Sequence, residues 1–427
     1  MDTRIDELKN FLDGAHSVYH AVAGLVWMLE AAGYSRLSEG EDWELVPGGS
    51  YFLTRGGSSV IAFRVPTEVP CGFLISASHA DRPTFKLKEN GELKGKYTRL
   101  STEKYGGMLM STWLDRPLSV AGRVLVETED GIQSRLVDID RDLLLIPSVA
   151  IHMNRKANEG QAWNPAVDTL PLMGGAETAG RLEQLLEEAA GSKILGHDLY
   201  LYPRQDASVW GVDGEYLSAA ALDDLACVWC CTQGFLNSGE NRQIPVLCVF
   251  DAEEVGSASV QGADSRLLED VLARICESLG QDARQMQSRT FMVSADNGHA
   301  IHPNHPEYAD PNNAPVVNGG PVLKFNSNLR YTTDGASGAV FRKLCRDRNI
   351  PLQTFYNRAD LPGGSTLGCV SLSHVSVPSV DIGLPQLAMH SCYETAGVKD
   401  VLYLLDAMQA YYSAALLPDG DGGFVME

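Results

Sequence analysis

Positive charge is in short supply in this chain. It carries 34 Lys and Arg against 55 Asp and Glu, a net charge of −21. Such a balance repels phosphate backbones and anionic lipid surfaces, which argues against nucleic acid and membranes as partners. Long apolar runs are also missing. The longest, near residues 21–32, is too short and too interrupted to cross a bilayer. The opening MDTRIDELKNFLDGAH has no unbroken apolar core of the kind an export signal needs, so a cytoplasmic protein is expected. Cysteine is sparse: nine are scattered over 427 residues, an odd number and the usage of a reducing compartment. Cys227, Cys230 and Cys231 form C-x-x-C-C, but no second pair follows at zinc-knuckle spacing. They are expected to be buried thiols on a helix. H-E-x-x-H, G-x-S-x-G and P-loop motifs are absent, as are internal repeats and low-complexity segments.

What is present is a large apolar fraction, 44%, enough for an extensive core. The length suggests two or three domain-sized units, at roughly 100–200 residues each. Residues 4–12 and 18–32 have amphipathic helical periodicity. Residues 59–65 and 72–78 are nearly all apolar, as strands covered on both faces would be. Between about 91 and 215 the character changes. Residues 123–127 and 134–138 flank Glu129-Asp130-Gly131, a hairpin pattern. An apolar run follows at 143–153, and a helix is expected over 176–190. From about 216 onward, helices alternate with apolar strands at 245–250, 290–294, 322–325 and 379–382, and 398–415 is helical. This alternation indicates an α/β fold. The simplest account is one α/β unit of residues 1–90 and 216–427, its mixed sheet flanked by helices, interrupted by a smaller β-rich unit of residues 91–215.

Polar residues stand where these strands end. Residues 74–78 run into His79-Ala80-Asp81, 246–250 into Asp251-Ala252-Glu253-Glu254, and 291–295 into Asp296. The segment beyond 380–383 reaches His390. In open α/β sheets the carboxyl ends of strands form the binding crevice. A fifth group, Asp223, lies in Ala221-Leu222-Asp223-Asp224-Leu225, just ahead of an apolar helical run. One His and two carboxylates can hold each of two divalent ions if one carboxylate bridges, and this donor set suits zinc, cobalt or manganese. Two close ions can clamp a carbonyl oxygen and activate a shared water. Of the pair Glu253-Glu254, one can bind metal while the other serves as general base. Asp81 can accept a hydrogen bond from the second ring nitrogen of His79. Taken singly these features are weak: most Glu-Glu pairs are solvated, most histidines after strands are structural, and an Asp at a helix start is usually an N-cap. His299, His302 and His305 are read as part of a loop shaping the site. Their joint occurrence at strand ends is what points to a metal site.

The words themselves are more specific. Ser78-His79-Ala80-Asp81-Arg82-Pro83, Tyr105-Gly106-Gly107 with Trp113-Leu114-Asp115-Arg116, and Ala150-Ile151-His152-Met153-Asn154-Arg155 resemble segments of the M18 aspartyl aminopeptidase family. So do FDAEEVGS from Phe250, SADNGHAIHPN from Ser294, Gly363-Gly364-Ser365-Thr366 and PQLAMHS from Pro385. The resemblance runs from about His16 to Gln409. It implies a zinc-peptidase-like catalytic domain with an inserted dimerisation domain, and an enzyme that removes N-terminal Asp or Glu from peptides. It further implies that His79, Asp223 and Asp296 hold one metal, and that Asp223, Glu254 and His390 hold the other. Glu253 would be the general base, with Asp81 catalytic beside it. Lys324 would meet the acidic side chain of the substrate and Tyr331 the oxyanion. On spacing alone Lys324 reads as a surface residue and Tyr331 as a core one. His152 would reach a neighbouring subunit's site within a dodecamer built from dimers. Three positions depart from the family's words: Arg82 and Ala252 replace Ser and Asn, and Asp224 replaces Asn. An aminopeptidase of neutral or broad preference, or a non-catalytic assembly protein, are the competing readings; a lost ligand would favour the latter, and none is lost.

Overall fold

The computed structural model describes residues 2–361 and 363–426. Its centre is a nine-stranded mixed sheet. The spatial order is Ser35–Arg36, Ser50–Arg55, Ser59–Arg64, Ile244–Phe250, Phe73–His79, Phe291–Ala295, Ser379–Gly383, Val322–Phe325 and Gln353–Tyr356. The four strands Ile244–Phe250, Phe73–His79, Phe291–Ala295 and Ser379–Gly383 run parallel, so their carboxyl ends share one edge. Both faces are covered, which is why these strands read as unbroken apolar runs. Leu74, Leu247 and Val249 face one core, with the helices Thr3–Gly14, Val18–Ala31, Leu222–Leu236 and Val398–Tyr412. Phe73, Ile75, Val246 and Cys248 face the other, under Leu267–Ser278 and Ala283–Ser288. Cys227, Cys230 and Cys231 are fully buried thiols on the helix Leu222–Leu236, as their pattern suggested.

A six-stranded antiparallel sheet takes strands from Thr84–Leu93 to Ile194–Pro203 and has its own core, with Phe85, Trp113, Val124 and Leu199 under the helix Arg181–Ala190. The hairpin over Leu118–Thr128 and Gly131–Asp138 is present, closed at Gly131. Within the apolar run 143–153, Leu144, Leu145 and Ile146 make isolated bridges, and Val149, Ile151 and Met153 stand exposed. One local expectation fails here. The helix expected over 176–190 is a single 3-10 turn, Ala176–Thr178, then a break at Gly180 (φ 85°), then Arg181–Ala190. Glycine in the left-handed region interrupts the helical run.

A third, five-stranded sheet is small. It orders Ser208–Trp210, Tyr216–Ala219, Glu394–Gly397, Pro385–Leu387 and Gly298–His299. Three of its strands adjoin segments that carry candidate site residues: Tyr216–Ala219 leads to Asp223, Pro385–Leu387 leads to His390, and Gly298–His299 follows Asp296. The site therefore lies between the carboxyl edge of the large sheet and this small one.

Candidate active site

The large sheet supplies the first half. His79 closes its strand and is 1% exposed. Its Nδ1 lies 3.2 Å from the Asp81 carbonyl oxygen and 3.3 Å from Asp81 Oδ1. A proton held there leaves Nε2 with a free lone pair, and Nε2 faces Asp223 Oδ1 at 3.7 Å. The Asp81 carboxylate does more than orient the ring. Its Oδ1 accepts the Glu253 N–H and its Oδ2 the Glu254 N–H, both at 3.1 Å, and Oδ2 also accepts from the Tyr105 hydroxyl at 2.8 Å. The two glutamates thus sit on a pinned one-turn 3-10 segment, Glu253–Val255, entered through Ala252 at φ 63°. Gly106 packs against that turn: a Cβ on it would lie 3.1 Å from the Glu254 Cβ, at a φ of 75°.

The small sheet supplies the second half. Asp223 and Asp224 have non-helical dihedrals, so the regular helix begins only after them. Asp223 does not act as an N-cap. Its backbone N–H donates to Glu394 Oε2 at 2.9 Å, while its Oδ1 is buried with no hydrogen-bond partner. His390 Nδ1 bonds the Gly107 carbonyl oxygen at 2.7 Å, so its Nε2 also points inward, 3.4 Å from both Asp223 Oδ2 and Glu254 Oε1. Both imidazoles therefore present Nε2 to one carboxylate. Three of the four strand-end donors come directly off the large sheet; His390 arrives only after the strand Pro385–Leu387.

Six carboxylates, Asp81, Asp223, Asp224, Glu253, Glu254 and Asp296, crowd this space with His79, His390 and Lys324 as the nearby cations. Burial disfavours the charged forms of Asp224, Glu253, Glu254 and Asp296, and repulsion among the carboxylates adds to it; at Asp223, burial is outweighed by His390, His79 and Lys324, and its pKa is lowered. Burial, opposed by His79 but reinforced by Asp296 and Asp81, pushes Glu253 up to about 7. Burial and the Asp223 charge hold Glu254 well above the usual range, and burial raises Asp296 and Asp224 too. The Asp224 Oδ1 is a second buried oxygen with no partner. Ligand atoms of His79, Asp223 and Glu254 lie within 4.8 Å of one another, as do those of Asp223, Asp224 and Asp296. Orphaned carboxylate oxygens, inward-facing imidazole nitrogens and an excess of negative charge are what divalent cations relieve. The residues present fit such ions, and Asp223 belongs to both groups.

Other expected residues are placed differently. Lys324 is 1% exposed, not at the surface, and donates to the carbonyl oxygens of Asp296 (2.8 Å) and Asn297 (3.2 Å), with Asp296 Oδ2 at 3.6 Å. Burial pulls its pKa down, but Asp296, Tyr331 and Asp381 together outweigh that and hold it above the usual lysine value. Tyr331 is buried; its hydroxyl accepts from Asn357 at 3.3 Å, and its ring centroid lies 5.1 Å from the Lys324 ammonium. His152 is exposed on the loop after Ile146 and makes no hydrogen bond or ion pair with the described residues. The Arg82 guanidinium donates to the His16 carbonyl at 2.8 Å. That contact ties it to the turn between the first two helices. His302 and His305 are exposed and pair with each other, and His305 with Glu307. Two residues escaped the sequence reading. Asp224, noted only as a departure, is fully buried among the ligand-capable groups. Glu394 escaped altogether; an acidic residue opening a buried strand was the available signal.

A family model described as aminopeptidase I zinc metalloprotease (M18) matches residues 11–412. A probable M18 family aminopeptidase 2 of Clostridium novyi is 40% identical over 424 residues, covering 96% of this chain and 98% of that one. Among solved structures, a chain from the cryo-EM complex of Ape4 and Nbr1 superposes with a TM-score of 0.92 at 36% identity, over 96% of this chain and 85% of that one. The yeast mApe1 dodecamer gives a TM-score of 0.85 at 26% identity, over 96% of each chain.

Proposed function

The chain belongs to the M18 family of zinc metallo-aminopeptidases, and from that premise we propose that it removes acidic N-terminal residues from peptides, with two divalent ions sharing Asp223. The observation that carries this is the Asp223 carboxylate itself: one oxygen faces His79, the other His390, and one has no partner. In this reading His79, Asp223 and Asp296 hold one ion, and Asp223, Glu254 and His390 the other. When bound, the two ions supply polarisation of the scissile carbonyl and a water acidic enough to attack near neutral pH. The protein does the rest. Glu253 is the general base, taking the proton of the attacking water on its carboxylate and passing it to the leaving amine. Burial raises its pKa to about 7 in the metal-free site, and a carboxylate at this position can take a proton from a water beside it. Asp81 keeps His79 and the Glu253-Glu254 turn in register. The Tyr331 hydroxyl donates to the oxyanion. Lys324 recognises the substrate's acidic side chain.

Zinc is the expected metal, with cobalt or manganese as alternatives. We read residues 1–90 and 216–427 as the catalytic unit and 91–215 as an inserted dimerisation unit. The exposed Val149, Ile151 and Met153 support burial of that loop by another copy. A dodecamer, as in the yeast relative, would then bring His152 to a neighbour's site. No described helix is long and apolar enough to cross a membrane, and a cytoplasmic setting suits the free cysteines. One observation favours a second reading, of neutral or broad preference: two protons of the Lys324 ammonium already go to backbone carbonyls and the third faces Asp296. A panel of aminoacyl chromogenic substrates, assayed with zinc, cobalt and manganese, separates the two. Faster turnover of Asp and Glu substrates supports the first; faster turnover of Leu or Ala substrates overturns it.

A further inference from the structure

The two halves of the site are each tied together by one buried carboxylate. On the large-sheet side Asp81 accepts the N–H groups of Glu253 and Glu254. On the small-sheet side Glu394 does the equivalent for residues far apart in sequence: Oε2 accepts the Asp223 N–H at 2.9 Å and Oε1 the His390 N–H at 2.6 Å. We propose that Glu394 is a positioning residue that sets the spacing of Asp223 and His390, and so the affinity of the ion they share. The inference rests on the two-ion reading above.

Four observations support it. Glu394 is 1% exposed, so its charge sits in the interior for a reason other than solvation. It opens the strand Glu394–Gly397 opposite Ala219, the end of the strand that leads to Asp223, so a short rigid ladder holds it. Each carboxylate oxygen already accepts a backbone N–H of a proposed metal ligand. Finally, what it holds does not hold itself: His390 lies at φ 63° and Ala388 at φ 55°, a region L residues enter at a cost. An N–H bonded to a fixed carboxylate keeps that turn from relaxing and carrying the His390 ring with it.

The chemistry requires two acceptors. In the metal-loaded site an ionised carboxylate offers two oxygens and no donor; glutamine of the same shape turns an NH2 group against one of the two N–H groups. The role is therefore separable from packing. The test measures zinc stoichiometry and stepwise affinity by competition with a chromogenic chelator, on metal-free protein reloaded with zinc, together with the metal-free melting temperature. Glu394→Gln should melt within a few degrees of wild type, bind one ion normally, and bind the other roughly 10- to 100-fold more weakly, the usual effect of removing an outer partner of a metal ligand. Glu394→Asp, with both acceptors but a shorter reach, should fall in between. Glu394→Gln that binds both ions as tightly as wild type overturns the inference. If Glu394→Gln does not fold, Glu394→Asp decides: weaker binding of one ion upholds the inference, and wild-type binding of both overturns it. Wild type that binds fewer than two ions would instead remove the reading on which it rests.

Discussion

The two sides of the site are built by different means. On the large-sheet side, donors stand at or just past the ends of long apolar strands: His79 ends Phe73–His79, the Glu253-Glu254 turn follows Ile244–Phe250, and Asp296 follows Phe291–Ala295. Their backbone directions are set by a sheet buried on both faces. On the small-sheet side, Asp223 and His390 hang on irregular segments beside strands of three or four residues, with residues at positive φ close by. There the geometry is set by individual hydrogen bonds to Glu394 and to Gly107. Sheet packing sets the backbone on the first side, where Asp81 then pins the glutamate turn, whereas the second side relies on the polar network alone. The second should be the more sensitive to single polar substitutions.

The strongest way to break this comparison is Asp223→Ala, which removes the carboxylate both sides address. Turnover should fall by about four orders of magnitude or more, as when groups acting as a unit lose a shared member. Zinc content should drop from two ions per subunit to one or none. Retention of both ions would show that the two sides do not meet at Asp223. Next in size is Glu253→Gln, on the large-sheet side. It should cost roughly two to four orders of magnitude in kcat, the usual worth of a general base, with both ions kept. Loss of an ion in that variant would exchange the roles of Glu253 and Glu254.

How much of each side could be read in the sequence follows from the same contrast. Apolar runs at 246–250 and 291–295 reveal strand ends because double-sided burial forbids polar interruption, so Glu253, Glu254 and Asp296 were legible as an edge. Asp223 was visible only as an acidic residue ahead of a helical run, a pattern that more often means a cap. Glu394 offered only an acidic residue at the head of a short strand, and strands of two to four residues carry no periodicity that would mark it. The small sheet escaped for that reason. Lys324 was misplaced by spacing because its neighbours Asp296 and Asn297, which keep it buried, are distant in sequence.

Smaller effects sharpen the picture. Lys324→Met should lower kcat/KM for acidic substrates by about one to two orders of magnitude, the worth of a charge-assisted hydrogen bond, and for neutral ones much less. Equal losses would make Lys324 a structural partner of Asp296. His152→Ala should reduce activity by less than any of these and leave zinc content unchanged; an active monomer by light scattering would remove His152 from the site. The smallest effect is on stability. Burial raises the native pKa of Glu253 to about 7 and of Glu394 to about 8, above their unfolded values. The native metal-free protein then holds protons the unfolded chain has released, so its stability falls as pH rises from about 4 to 8. Melting curves after chelation should drop by several degrees across that window, and added zinc should restore more at pH 8 than at pH 5.5. A metal-free melting temperature that rises across the window would contradict this charge balance.

The account turns on one carboxylate placed between two imidazoles. Anomalous diffraction at the zinc edge, from crystals of the zinc-loaded enzyme, tests that most directly. Two peaks should flank Asp223, one beside His79 and one beside His390. A single peak, or two peaks that do not share Asp223, would contradict it.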